Sequence, residues 1–319
     1  MIINIFLFII SFVMLGIAAH WIVNSLTFLA RFFKWREFVL VYFVLVIGAS
    51  IPNFAVGIFS SLQGAPDLFF GDVIGNSLIT LTLIVGLAAF VNKGLRADSR
   101  VVQQSSVFVI LTSLLPLLLI MDGRLSRGDG IVLLAIFFFY SSWLFSKRKL
   151  FEHTYDEEEG EIKKPVSSFF KSVLGIIMGL PFLILAGKWI VDSSLFFAQT
   201  FGFQLAIFGV LIVAIGTSLP ELFFIVTAAK KKNNWLALGG IIGDVIVLPT
   251  LGLGIIAVIS PIEITAFSAF LPLFIFLITA SCIFVWIIKS DKKITCIEAV
   301  PLLFVYGAFL LYEIFSRIF

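Results

Sequence analysis

The chain alternates long apolar runs with short polar connections. Ten runs can be read: 2–28, 38–62, 69–91, 104–121, 129–146, 168–192, 203–229, 235–259, 267–288 and 297–316. A bilayer core about 30 Å thick needs about 20 apolar residues per helix, so each run predicts one transmembrane helix. The expected fold is an all-α membrane protein of ten transmembrane helices. The first run lacks a basic leading region and a small-residue cleavage site, so it reads as a span and not a signal peptide. One connection is long, 147–167. Its acidic stretch from Asp156 to Glu161 reads as a solvated, flexible linker, with a regulatory cation site as the alternative.

Composition agrees with the run pattern. Of 319 residues, 61% are hydrophobic and 13% charged, and the mean hydropathy is +1.15. A soluble globular chain is about 45–50% apolar and about 25% charged. Too little polar surface remains for a cytosolic enzyme, a nucleic-acid-binding module or a disordered regulator. Cys282 and Cys296 form neither a disulfide framework nor a metal spacing.

The basic residues set an orientation. Eighteen of the 22 fall after odd-numbered runs, in clusters that begin at Arg31, Lys93, Lys147, Lys230 and Lys289. The exceptions are Arg124, Arg127, Lys188 and Arg317. Lysine and arginine accumulate in cytoplasmic loops. The odd loops are therefore expected in the cytoplasm and both termini outside, in a cell (plasma) membrane.

Sliding the chain against itself by 168 residues exposes an internal repeat. His20-Trp-Ile-Val-Asn-Ser-Leu-Thr-Phe-Leu-Ala30 falls on Lys188-Trp-Ile-Val-Asp-Ser-Ser-Leu-Phe-Phe-Ala198, with six identities in eleven. Gly48-Ala-Ser-Ile-Pro-Asn53 falls on Gly216-Thr-Ser-Leu-Pro-Glu221, and Gly71-Asp-Val-Ile-Gly-Asn76 on Gly239-Gly-Ile-Ile-Gly-Asp244. After one inserted residue, Asp122 and Asp129 match Asp291 and Glu298. Five helices per repeat is an odd number, so the second repeat starts on the opposite side of the membrane. Such inverted pairs are typical of secondary transporters, with broken helices meeting at a site near the midplane. Helix breaks are expected at Gly48, Pro52, Gly216, Pro220, Gly75 and Gly243. The glycine pairs 71/75 and 239/243 have a spacing that permits close helix approach.

Ionisable groups at bilayer depth are functional candidates. Glu221 and Asp244 qualify, and their repeat mates are Asn53 and Asn76. Ser50, Thr217 and Ser218 add hydroxyls, and Thr80 lies one turn beyond Asn76. Asp72 is expected to cap or rim the third helix, and His20 and Lys188 to snorkel near the ends of spans one and six. An all-oxygen donor set suits hard cations such as Ca²⁺, Na⁺ or H⁺, so the cation-binding candidates are Glu221, Asp244, Asn53, Asn76, Ser50, Thr80, Thr217 and Ser218. Glu221 and Asp244 would carry the charge opposite a metal ion.

These residues resemble the cation/Ca²⁺ antiporter superfamily, the sodium/calcium exchanger family, with a divergent first repeat. That family carries two inverted alpha-repeats of the form G-T-S-[LI]-P-E followed by G-x-x-G-S-N-x-x-[ND]. Gly216-Thr217-Ser218-Leu219-Pro220-Glu221 matches the first element fully, and Gly48-Ala49-Ser50-Ile51-Pro52-Asn53 matches in part. Only one motif glutamate survives, at Glu221. Asn76 and Asp244 replace the serine, and Thr80 and Leu248 the last polar position. The resemblance implies alpha-repeats at about 44–87 and 212–255, within five-helix repeats at 1–146 and 168–319 joined by the cytoplasmic linker 147–167.

It further implies a secondary antiporter that moves Ca²⁺ or another hard cation against Na⁺ or H⁺ by alternating access, with spans one and six sliding past the other eight. It needs no cofactor, no nucleic acid and no obligate protein partner, only inorganic cations and the bilayer. Asn53 and Leu248 favour the alternative, a passive cation channel or a transport-inactive scaffold. No nucleophile–base pair or metal-ligand set supports an enzyme. The compact chain suggests a bacterial or archaeal membrane.

Overall fold

The computed structural model describes residues 1–32, 46–147, 166–264 and 270–318. The expected linker, with Glu152, His153 and the acidic stretch, lies outside these residues except at its two ends, as do Lys34 and Arg36. Among the described residues thirteen α-helices, three complete π-helical segments and four two-residue strands follow in order. Helix α1 is Ile2–Phe32, and α2 is Ile51–Leu62. Helix α3, Pro66–Ile79, runs through a π segment, Thr80–Ile84, into α4, Val85–Val91. Strand β1, Leu95–Arg96, leads to α5, Arg100–Leu119, and β2, Arg124–Leu125, to α6, Arg127–Ser146. Helix α7 is Val166–Phe201. Helix α8, Leu205–Phe208, continues through a π segment, Gly209–Val213, into α9, Ala214–Lys230. Helix α10, Asn234–Val247, continues through a third π segment, Leu248–Gly252, into α11, Leu253–Ile259. Strand β3 is Ile262–Glu263, α12 is Leu271–Ser290, β4 is Lys293–Ile294, and α13 is Cys296–Ile318.

Among the described residues nine helices are long and apolar enough to cross a membrane. They correspond to nine of the ten apolar runs. The second run is described only from residue 46, and its helix α2 has 12 residues.

The 168-residue repeat is visible in the backbone. Helix α3, its π segment and α4 map residue for residue onto α10, its π segment and α11. Helices α6 and α13 begin with the same reciprocal cap. The Ser126 Oγ accepts from Asp129 N while Asp129 Oδ2 accepts from Ser126 N, and Thr295 and Glu298 repeat both bonds. This capping box satisfies two orphan donors at each helix start and explains why Asp129 and Glu298 match. The strands pair across repeats: β1 with β4, Arg96 opposite Lys293, and β2 with β3, Arg124 opposite Glu263. The repeat relation carries one ribbon onto the other.

Burial is nested. Spans 66–91 and 234–259 are the most enclosed, whereas α1 and α7 turn most of their surface outward. Phe8, Leu15, Ala18 and Ile22 of α1 and Leu183, Ala186, Ile190 and Val191 of α7 form one apolar cluster together with Ala55 and Val56 of α2, Leu68 of α3, Phe208 and Val213. A larger core holds most of the remaining buried residues. His20 and Lys188 sit on the exposed face of these two helices, well inside them rather than near their ends, because α1 and α7 extend beyond the apolar stretches.

The expected helix breaks require correction. Helices α3, α9 and α10 run unbroken through Gly75, Gly216, Pro220 and Gly243. Of the expected breaks, only Pro52 stands at a helix start, in the first turn of α2; Gly48 lies in the short described stretch just before it. The interruptions are the π segments, where one extra residue per turn rotates the following face. The glycines serve close approach instead. A side chain at Gly75 would meet the Val210 carbonyl at 2.6 Å and Ala214 Cβ at 2.8 Å, and one at Gly243 would meet Val46 at 2.6 Å. A side chain at Gly71 would collide with the Ala206 carbonyl, whereas Gly239 has nothing within 4 Å. Gly48 and Gly216 receive Val23 and Phe12 of α1.

Gly75→Val should therefore lower stability by about 1–3 kcal/mol through overpacking, read as a fall in melting temperature in detergent, whereas Gly239→Ala should melt like the wild type. Equal behaviour of the two variants would contradict the packing described.

Candidate functional site

Four elements meet at the polar centre. Helix α3 presents Asp72, Asn76 and, at the first π residue, Thr80. Positions four apart share one helix face, so these three form a stripe about 12 Å long at 1.5 Å per residue. Helix α9 presents Thr217, Ser218 and Glu221 on one face, α10 presents Asp244, and α2 presents Asn53. All eight are buried.

Asn76 joins the two repeats. Its Nδ2 donates to Asp244 Oδ2 at 3.0 Å and to Glu221 Oε2 at 3.4 Å, while its Oδ1 accepts from the Ser218 hydroxyl. Carboxylates only accept, so the amide nitrogen must face them. Asn76 and Asp244 are repeat mates, and a contact between mates lies on the pseudo-two-fold axis. Thr80 Oγ1 donates to Asp244 Oδ2 at 3.0 Å. Glu221 and Asp244 thus share one donor, the Asn76 Nδ2.

Asp72 lies one turn before Asn76 on the same face of α3, buried, which corrects its expected place at the rim. Helix α3 begins at Pro66, three residues before the apolar run, so Asp72 lies two turns inside it and is 0% exposed. Thr217 Oγ1 donates to Asp72 Oδ1 at 2.7 Å, and Asn53 Nδ2 to Asp72 Oδ2 at 3.3 Å. The signal in the sequence was its i, i+4, i+8 spacing with Asn76 and Thr80.

Of the eight candidates, Glu221, Asp244, Asn76, Thr80 and Ser218 share one hydrogen-bonded group, and Thr217 and Asn53 form a second with Asp72. Ser50 is buried but donates only to the Val46 carbonyl, at 3.0 Å.

Three buried oxygens in these two groups have no partner: Asn53 Oδ1, Glu221 Oε1 and Asp244 Oδ1. Buried acceptors are normally satisfied, and all three are hard donors. Among the described residues no three His, Cys, Asp or Glu side chains group closely enough to hold a metal by themselves. A cation here would need amide, hydroxyl or carbonyl oxygen beside the carboxylates, as Ca²⁺ accepts.

Inverted repeats that meet at a buried polar centre define the architecture of secondary transporters. The chain belongs to the sodium/calcium exchanger protein family, whose model matches residues 3–146 and 171–315. Inner membrane protein YrbG of Escherichia coli is 30% identical over 270 residues, 81% of this chain and 80% of that protein. Sodium/calcium exchanger MaX1 of Methanosarcina acetivorans is 25% identical, with 97% of each chain covered. Two solved structures share the fold. The sodium-calcium exchanger NCX_Mj superposes with a TM-score of 0.66 at 24% identity over 98% of each chain. An H⁺/Ca²⁺ exchanger, CAX, superposes with a TM-score of 0.79 at 16% identity over 97% of this chain and 82% of its own.

If Asn76 holds the two carboxylates, Asn76→Leu should be destabilising, because removing one partner from a buried charged group costs about 3–5 kcal/mol. The same change in an Asp244→Leu background should cost less, by a coupling of about 0.5–3 kcal/mol. Additive losses in melting experiments would contradict the bridge.

Proposed function

We propose that the protein is a secondary cation antiporter that moves Ca²⁺, or another hard cation, against Na⁺ or H⁺ by alternating access. One observation supports this reading: Glu221 and Asp244 both accept from the Asn76 Nδ2, beside Thr80, with one oxygen of each unpartnered. Two carboxylates match the charge of one divalent ion. Relatives named as sodium/calcium and H⁺/Ca²⁺ exchangers support the same cargo.

In this reading Glu221, Asp244, Asn53, Thr217, Ser218, Thr80, Asn76 and Ser50 surround the ion path, and Asp72 is added as a further carboxylate. Asn76 braces the two carboxylates: its Nδ2 donates to Glu221 Oε2 and Asp244 Oδ2, which leaves Oε1 and Oδ1 to the cation. Helices α1 and α7, packed on each other and turned mostly outward, with Val23 and Phe12 of α1 laid over Gly48 and Gly216, are the moving part.

The wider assignment follows the same logic. Ten transmembrane helices form two five-helix repeats, 1–146 and 168–319, joined by a cytoplasmic linker at 147–167, with alpha-repeats near 44–87 and 212–255. Both termini face outward from the plasma membrane. The cargo consists of inorganic cations, and the protein works without a cofactor or an obligate partner. Asn53 and Leu248 motivate a second reading, a channel or an inactive scaffold; Asp72, hydrogen-bonded to Asn53, restores the acid missing at that position and weighs against it.

⁴⁵Ca²⁺ uptake into proteoliposomes should be driven by an outwardly directed Na⁺ or H⁺ gradient. Glu221→Gln should abolish it, and Asp72→Asn should weaken apparent Ca²⁺ affinity by about 10-fold or more, as loss of a ligand-positioning partner does. Current linear in voltage without countertransport would establish the channel. Uptake driven by neither gradient and unchanged in Glu221→Gln would end the antiporter reading.

A further inference from the structure

The two pseudo-symmetric ribbons differ in charge. In β2·β3, Arg124 stands opposite Glu263 and the two form an ion pair at 3.9 Å. In β1·β4 the corresponding cross-strand pair is Arg96 and Lys293, two like charges in direct register. Like charges at opposed positions destabilise a ribbon. The strands are only two residues long, so little else offsets that repulsion.

The surroundings add to it. Lys93 and Lys292 flank the ribbon, and both hold left-handed backbone, φ +56° and +52°. Such a conformation costs a residue with a side chain about 1 kcal/mol or more; Lys232, after α9, also holds it (φ +59°), whereas the repeat mate of Lys292 beside the other ribbon is Gly123 (φ +85°). A lysine near a helix C-terminus gains from the helix dipole, which accounts for Lys93 and Lys292 but not for Arg96 opposite Lys293. The Lys293 stem lies over Gly94, its Cε 2.6 Å from where a Cβ would stand, so its ammonium is held at the ribbon. Asp98 and Asp291 are the acids on the neighbouring turns, and Glu298 is engaged in its cap. Among the described residues none of the four basic side chains has an ion-pair partner.

Below the ribbon, α4 and α13 expose Phe90, Val91, Ile297, Val300 and Phe304. The two helices are in contact there, where the Cys296 thiol donates to the Ala89 carbonyl at 3.6 Å and Leu303 covers Gly86. A cationic rim over an outward apolar seam has the polarity of one lipid, phosphate above and acyl chains beneath.

We infer that the β1·β4 ribbon, through Lys93, Arg96, Lys292 and Lys293, binds the phosphate of an anionic phospholipid whose chains lie along the seam between α4 and α13. The bound phosphate relieves the Arg96–Lys293 repulsion, as Glu263 does for Arg124 at the other ribbon.

Native mass spectrometry of the purified full chain in mixed micelles, titrated with phosphatidylglycerol and with phosphatidylcholine of the same chains, tests this. The wild type should prefer phosphatidylglycerol. Each basic residue near a membrane surface contributes about fivefold in binding, so Arg96→Gln with Lys293→Gln should lose about 30-fold for phosphatidylglycerol and little for phosphatidylcholine. Arg124→Gln with Glu263→Gln at the other ribbon should bind like the wild type, and both ribbon variants should melt within a few degrees of it. Inorganic phosphate at the lipid's concentration should not displace phosphatidylglycerol. Equal binding of the two lipids, retained phosphatidylglycerol binding in the Arg96/Lys293 variant, an equal loss in the Arg124/Glu263 variant, or displacement by inorganic phosphate would each overturn the assignment.

Discussion

Three carboxylates, Asp72, Glu221 and Asp244, lie at the centre of a membrane-spanning bundle, and among the described residues no Lys, Arg or His is buried with them. Burying a lone carboxylate is so unfavourable that it must be paired, protonated or bound to a metal. Asp72, Glu221 and Asp244 meet this constraint with neutral donors only: two asparagine amides and two threonine hydroxyls. Such donors hold a carboxylate in place without cancelling its charge. The remaining architecture serves them. Glycines on α3 and α10 bring neighbouring helices close, and Thr80 reaches Asp244 from the first residue of a π segment.

The pseudo-two-fold axis explains why the repeats diverge at the centre. Residues on such an axis touch their own mates, so identical acids at 76 and 244 would set carboxylate against carboxylate. Asn76 with Asp244 instead makes a donor–acceptor pair at 3.0 Å. The other mates follow suit: Asn53 with Glu221, Gly240 with Asp72, and Leu248 with Thr80. In each pair one member is charged or polar and the other is less so. The result is a symmetric scaffold around an asymmetric site.

Much of this was legible in the amino-acid sequence because both signals are strong there. Apolar runs report bilayer-spanning helices, and a single 168-residue offset reports the repeat, which the backbone follows through α3, α4, α10 and α11. Asp72 was misplaced because an apolar run marks where a helix becomes hydrophobic, not where it begins. Pro66, a residue suited to a first helical turn, marked the true start. Gly75, Gly243 and Pro220 suggested breaks because both residue types are weak helix formers, yet packing carried the helices through. The π segments and the two-residue ribbons leave no hydropathy signature. The ribbon pairing depends on contacts between chain segments about 140 to 200 residues apart, beyond the reach of any local pattern.

The proposed motion carries the outward-facing α1–α7 pair past the other helices while the carboxylate centre stays whole. That motion matters only if the centre holds an ion. The most direct measurement is the anomalous difference map of a crystal grown with Ca²⁺. The account places one peak about 2.3–2.6 Å from Glu221 Oε1 and Asp244 Oδ1, the two oxygens that Asn76 leaves free. A peak elsewhere, with those two oxygens still unpartnered, would contradict it.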